Sequence, residues 1–130
     1  MDFAFLIDDD PVYAKLVSML VKHKGFCSKL EVLENGKKGL ERFVELLENN
    51  EPLPEIILLD INMPIMNGFE FLSQFALLTP QQKNKTTIYM VTCSIEESDK
   101  KKAMAYEEVE GFIIKPMNDD DLKKVFRSSD

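Results

Sequence analysis

The residues best suited to chemistry in this chain are aspartates that follow apolar runs. Asp60 closes the run Ile56-Ile57-Leu58-Leu59, and Asp8-Asp9-Asp10 closes Phe3–Ile7. Short runs apolar on both faces suit strands buried on both sides, as in a parallel sheet covered by helices. Open sheets of that kind place their ligands at the carboxyl ends of the strands, where these acids fall. Three carboxylates sharing one crevice repel each other unless a cation joins them. Hard oxygen donors favour Mg²⁺ or Mn²⁺ and disfavour zinc, and no histidine or cysteine lies at these strand ends. Thr92 closes another strand-like run with a hydroxyl donor, and Lys115 a further one with an ammonium. A carboxylate nucleophile, a metal, a hydroxyl and a cation are the groups that position and neutralise a transferring phosphoryl group. Singly these residues carry little, since an Asp after a strand usually caps or turns the chain. Together, each at the end of a different predicted strand, they point to phosphoryl chemistry.

The elements that must position them are legible in order. Asp10-Pro11 is an N-cap and first-turn pair, opening a helix in which Tyr13, Leu16, Val17 and Leu20 recur at helical spacing to about Lys24, before Gly25. His23, the one histidine, falls near that helix's end, where a cation needs no function. Cys27–Leu33 reads as a second strand. Asn35-Gly36 opens a helix with the stripe Leu40, Phe43, Val44 and Leu47, and Asn49–Pro54 is a polar loop. After the central strand, Met63-Pro64 stops the chain and Asn67-Gly68 turns it into a third helix. Phe71, Leu72, Phe75 and Leu78 mark that helix, with Pro80 as its stop and Gln81–Lys85 as a polar loop. Thr87–Cys93 is the fourth strand, Ser94–Tyr106 a thinly apolar helix with Lys100–Lys102 on a solvated face, and Gly111–Ile114 the fifth strand. Asn118 caps a last helix with Leu122, Val125 and Phe126 inward; Asp119–Asp121 suit its dipole and have no assigned chemistry. Alternating strands and helices imply right-handed crossovers and an α/β domain: a five-stranded parallel sheet, doubly wound, with helices on both faces. If the first and third strands are neighbours, Asp8 and Asp9 come beside Asp60.

Composition excludes several classes. A chain of 130 residues, 45% hydrophobic and without repeats or low-complexity tracts, fits one globular domain over 1–130. No apolar run approaches the length of a membrane span, and the N-terminus lacks a signal pattern. Cys27 and Cys93 lie in apolar strand-like segments without metal-ligand spacing, so both read as buried thiols in a reducing compartment, the cytoplasm. A formal charge of −7 argues against nucleic acid as a direct partner. The chain stops at Ser128-Ser129-Asp130, just after the last helix, which leaves no output domain within it.

From Phe3 to about Phe126 the sequence resembles the response-regulator receiver domains of two-component signalling, the CheY-like family. The resemblance rests on Asp8-Asp9, on Asp60 followed by Met63-Pro64 and Gly68, on Thr92, and on Lys115-Pro116. It implies the flavodoxin-like strand order 2-1-3-4-5, of which CheY is a standard example and which periodicity does not supply. It implies that Asp60 is the phosphoacceptor, attacking a phosphohistidine on a histidine kinase or histidine phosphotransfer protein. Asp9 would bind Mg²⁺ (or Mn²⁺) directly, Asp8 through water, and Asp60 and the Asn62 carbonyl would complete the protein's share of the metal shell. Thr92 would hydrogen-bond the phosphoryl group and Lys115 would pair with it. Phe112, three before Lys115, stands at the aromatic switch position and has no hydroxyl. Cys93 stands where the family favours small side chains, and Asn62 and Ser94 stand at positions that, with Cys93, tune hydrolysis of the acyl phosphate. The downstream protein target would use the face of residues 96–126, without contact to nucleic acid or membrane. Such a domain assists its own phosphorylation and dephosphorylation but turns over no external substrate.

Other readings share parts of this pattern. A flavodoxin-like FMN binder needs a Ser/Thr/Gly-rich phosphate loop where this chain has three aspartates. A haloacid-dehalogenase-like phosphatase needs a second Asp two positions after the first, where this chain has Asn62. A degenerate receiver, docking without phosphorylation, would not need the five-residue set.

Overall fold

Alternation within each central strand decides how the chain is layered. The structure, a computed structural model, describes residues 3–78, 81, 86–93 and 96–127. Its elements are β1 (Phe3–Ile7), α1 (Pro11–Lys24), β2 (Lys29–Leu33), α2 (Gly36–Glu48), β3 (Ile56–Asp60), α3 (Gly68–Phe75), β4 (Thr87–Thr92), α4 (Glu97–Met104), β5 (Val109–Ile114) and α5 (Asp119–Arg127). Phe5, Ile7, Ile57, Leu59, Ile88 and Met90 point to one side of the sheet, into a core completed by Phe43 and Leu46 of α2, Phe71 and Phe75 of α3, and Ala103 of α4. Ala4, Leu6, Ile56, Leu58, Tyr89 and Val91 point to the other, against Val17 and Val21 of α1 and Leu122, Val125 and Phe126 of α5. A strand apolar at every position therefore serves two cores at once. Ile56 to Leu59 are all at most 1% exposed, and each such side chain contributes roughly 1.5–3 kcal/mol by leaving water.

All strand pairings are parallel, in the order β2-β1-β3-β4-β5. The chain thus winds outward in both directions from β1 and β3, and the crevice between their carboxyl ends is the switch point of the sheet. Both termini of α1 are tied: Asp10 accepts from the Val12 and Tyr13 amides, and Gly25, at φ 68°, closes the helix in the left-handed conformation that glycine adopts without strain.

Several expectations shift. The buried side of α1 is Ala14, Val17 and Val21, while Leu16 is exposed and Tyr13 and Leu20 are half-buried. The helix presents its small and β-branched residues to the sheet and turns its leucines aside. In α2 the deep residues are Phe43 and Leu46; Leu40, Val44 and Leu47 are half-buried. β2 begins at Lys29, not Cys27, and β5 begins at Val109, two residues before the expected start. β4 ends at Thr92, so Cys93 leaves the sheet and is exposed, which corrects its reading as a buried thiol; Cys27 is buried. α4 is shorter than the expected Ser94–Tyr106. The expected stop at Pro80, positions 82–85 of the polar loop, Ser94 and the terminal 128–130 lie outside the described residues. Among the described residues no helix is long and apolar enough to cross a membrane.

Candidate functional site

Local hydrogen bonding gives the three consecutive aspartates three different environments. The Asp8 amide donates to the Leu33 carbonyl at 3.0 Å, extending the β1–β2 pairing by one residue and holding Asp8 at the strand's end. Its Oδ1 accepts from the Asp10 amide at 2.9 Å, forming a tight turn. Asp10 spends its own carboxylate on the α1 N-terminus. Asp9, between them, is exposed, whereas Asp8 is 2% exposed.

Asp60 is the last residue of β3 and is 6% exposed. The chain then turns back on itself: the Ile61 amide bonds to Val91 O at 3.2 Å, and the Gly68 amide to Ile61 O at 2.9 Å. A Cβ on residue 68 would stand 2.6 Å from the Asp60 carbonyl oxygen, so only glycine permits this closure. Asn67 and Glu70 form a reciprocal capping box that starts α3 at that point. Asn62 is exposed, and its main-chain N–H donates to the Asp60 carboxylate.

Thr92 ends β4 and is buried, while Lys115 directly follows β5. The Lys115 amide bonds to the Thr92 carbonyl at 2.8 Å, which brings the two residues to adjacent positions on the same edge; the peptide to Pro116 is cis. The Lys115 ammonium reaches back over the site, 2.9 Å from Asp8 Oδ2 and 3.4 Å from Asp60 Oδ2.

The electrostatics follow from that crowding. Burial, and then the charge of Asp8, push the Asp60 carboxyl up to about 6, against the opposing pull of Lys115 and the Asn62 N–H. Burial works against the Lys115 charge, but Asp8 and Asp60 outweigh it and leave its pKa above the ordinary lysine value. Carboxylate oxygens of Asp8, Asp9 and Asp60 all lie within 4.8 Å of one another. Asp8 Oδ2 is buried and faces the Lys115 ammonium at 2.9 Å. An oxygen-only set of three carboxylates held this close fits a hard divalent cation.

Of the residues singled out in the sequence, Asp8, Asp9, Asp60 and Lys115 thus meet at one point, with Thr92 buried on the neighbouring strand end. Phe112 is half-buried and packs against the core on the α2–α3–α4 side. Cys93 is exposed just beyond Thr92. One participant escaped the sequence reading. Tyr13 reads as a member of an apolar helix stripe, yet its ring centroid lies 4.6 Å from the Lys115 ammonium. The only sequence signal is its position one helical turn past the acidic cluster.

Fold and site together define a doubly wound α/β domain with an acidic, cation-ready crevice at the switch point of its sheet. The chain belongs to the response regulator receiver domain family, whose sequence model matches residues 4–127. It is 29% identical over 120 residues to the probable methanogenesis regulatory protein FilR2 of Methanothrix harundinacea, covering 92% of this chain and 75% of that protein. It spans about half the length of other curated relatives that it matches, 53% and 52% in two cases. A two-component response regulator from Cytophaga hutchinsonii superposes with a TM-score of 0.89 at 26% identity, over 98% of this chain and 96% of that one. The Mn²⁺-bound form of response regulator Rcp1 superposes with a TM-score of 0.73 at 26% identity, over 97% and 89%.

Proposed function

We propose that residues 1–130 form one phosphoacceptor domain in which Asp60 takes a phosphoryl group from a phosphohistidine of a histidine kinase or phosphotransfer protein. The observation that carries this reading is the meeting of the Asp8, Asp9 and Asp60 carboxylates with the Lys115 ammonium at one point. A carboxyl titrating at about 6 is largely ionised at neutral pH and still basic enough to attack phosphorus. One Asp60 oxygen forms the new P–O bond, the P–N bond to the donor imidazole breaks, and the electron pair stays on the imidazole nitrogen. The product is an acyl phosphate on Asp60. Lys115, already bridging Asp8 and Asp60, has a short path to a phosphoryl oxygen, and the Thr92 hydroxyl donates to another. Asp8, Asp9 and Asp60, with the Asn62 carbonyl, would hold Mg²⁺ or Mn²⁺, and Rcp1, with its Mn²⁺-bound form, supports that assignment. A divalent ion bound there supplies charge neutralisation of the phosphoryl oxygens.

Exposed Val12 in the first turn of α1 and Ile65 in the β3–α3 loop stand at the same end of the sheet, as befits a site that receives its phosphoryl group from a protein. The face of residues 96–126 would carry the signal to a cytoplasmic target. Met104 and Ile114 are exposed on it, and Phe112, partly buried against the core, would change its packing when Thr92 moves toward the phosphoryl group. Phosphorylation can shift that face only by its differential interaction with two states of it. Cys93, Asn62 and Ser94 would set the lifetime of the acyl phosphate.

Incubation with acetyl phosphate and Mg²⁺, read by intact mass, should add one phosphoryl group to the wild-type chain and none to Asp60→Asn. Equal labelling of both would remove Asp60 from its role.

A further inference from the structure

We infer that Tyr13 is a positioning residue for Lys115: its ring seats the ammonium, and its hydroxyl ties the segment after Lys115 to α1. This rests on the reading of Asp60 as phosphoacceptor and adds a residue to that machinery. The Lys115 Nζ lies 4.6 Å from the Tyr13 ring centroid, within the range of a cation–π contact. Two residues on, the Met117 amide donates to Tyr13 Oη at 3.2 Å, a bond between groups 104 residues apart in the chain. One side chain thus grips both the tip of the lysine and the main chain that carries it.

The physical need for such a grip is specific to lysine. Its ammonium rides on a flexible four-carbon stem with many rotamers, and of its two carboxylate partners Asp60 is the reacting group and Asp8 belongs to the acidic set that would hold the cation. When Asp60 becomes an acyl phosphate, that partner is lost and the ammonium must transfer to a phosphoryl oxygen. Asp8 stays 2.9 Å from the ammonium but belongs to the acidic set that would hold the cation, whereas the Tyr13 ring is a contact that involves none of those acids and can keep the ammonium in place through that exchange. The phenol is half-buried, and burial raises its pKa, so it remains neutral while the lysine is charged. Tyr13 itself is fixed by the α1 N-terminus, where its amide donates to Asp10 at 3.2 Å. The acidic turn and the lysine therefore share one anchor.

The test compares Tyr13→Phe, which keeps the ring, with Tyr13→Leu, which keeps only apolar bulk. Initial rates of Asp60 labelling by acetyl phosphate and Mg²⁺ should fall about threefold in Tyr13→Phe. In Tyr13→Leu they should fall about tenfold, the equivalent of ~1.4 kcal/mol in the barrier. In a Lys115→Ala background the same Tyr13→Leu change should have no further effect, which a merely structural role would not produce. Independently of any phosphorylation, the Lys115 Hε protons should show an upfield ring-current shift in wild type and Tyr13→Phe that is lost in Tyr13→Leu. A folded Tyr13→Leu labelled at the wild-type rate, or a loss of the same size with and without Lys115, would overturn the inference. Absence of labelling in wild type would instead overturn the phosphoacceptor reading, and the proton shift would then decide the seating of Lys115 by itself.

Discussion

The segment from Asp8 through α1 and the segment from Glu96 through α4 have the same topological task. Each leaves the carboxyl end of a strand and carries the chain back across the sheet, yet they are held very differently. α1 has 14 residues, side-chain capping at its start, a left-handed glycine at its end and three residues buried in the core. α4 has 8 residues, no side-chain hydrogen bond from Glu96 at its N-cap, and only Ala103 buried. Helices of that length draw their stability from packing rather than propensity, so α4 opens at far lower cost than α1. The firm segment carries the acids, where a misplacement of 1 Å would impair the proposed phosphoryl transfer. The loosely held one borders β5 and Phe112, where the proposed switch would need two packings close in free energy.

The contrast is sharpest in a matched pair of substitutions. Gly68→Ala, beside the acids, drives a Cβ to 2.6 Å from the Asp60 carbonyl oxygen, whereas Gly111→Ala in β5 meets the Tyr89 ring at an ordinary 3.8 Å. Urea unfolding should show the first losing roughly 2–3 kcal/mol and the second changing by less than about 0.5 kcal/mol, with either sign. Similar losses in both would mean that the α4–β5 side is as tightly constrained as the site.

A second test uses charge. The folded state holds the Asp60 proton up to about pH 6, above the ordinary 3.8, so folding binds a proton in that interval. Wild-type stability contributed by this group is therefore present below about pH 4 and is lost as pH rises through 6. Asp60→Asn should accordingly stabilise the metal-free protein by on the order of 2 kcal/mol at pH 8, and by nothing at pH 4. Millimolar Mg²⁺ should narrow the gap by stabilising wild type more than the variant. A gap that is the same at both pH values would show that the strain at this site is not electrostatic.

The smallest effects come from the caps. Asp10→Ala removes two hydrogen bonds at the α1 N-terminus and should cost about 1 kcal/mol. Glu96→Ala removes no side-chain cap from α4 and should leave thermal unfolding within about 0.3 kcal/mol of wild type. Equal costs would place a capping role on Glu96 and weaken the comparison.

The sequence by itself determined the elements and the chemistry of their ends. Asp10-Pro11 and Gly25 mark the bounds of α1 because capping and left-handed closure are local events involving residues within a turn of each other. The apolar runs at Phe3–Ile7 and Ile56–Leu59 announce strands buried on both faces, and the acids follow them directly. Strand order was not legible in this way, since every central strand is apolar on both sides; it came from the family's motifs. Only the tertiary structure decided which side of α1 is buried. That depends on how close the helix sits to the sheet, and Leu16 consequently points to water while Ala14 does not. It also decided that Asp8 is buried and Asp9 exposed, that Cys93 leaves the sheet, and that Tyr13 meets Lys115. Each of these turns on a contact between distant parts of the chain, a distance of 104 residues for the Tyr13–Met117 bond, and periodicity carries no information across that span.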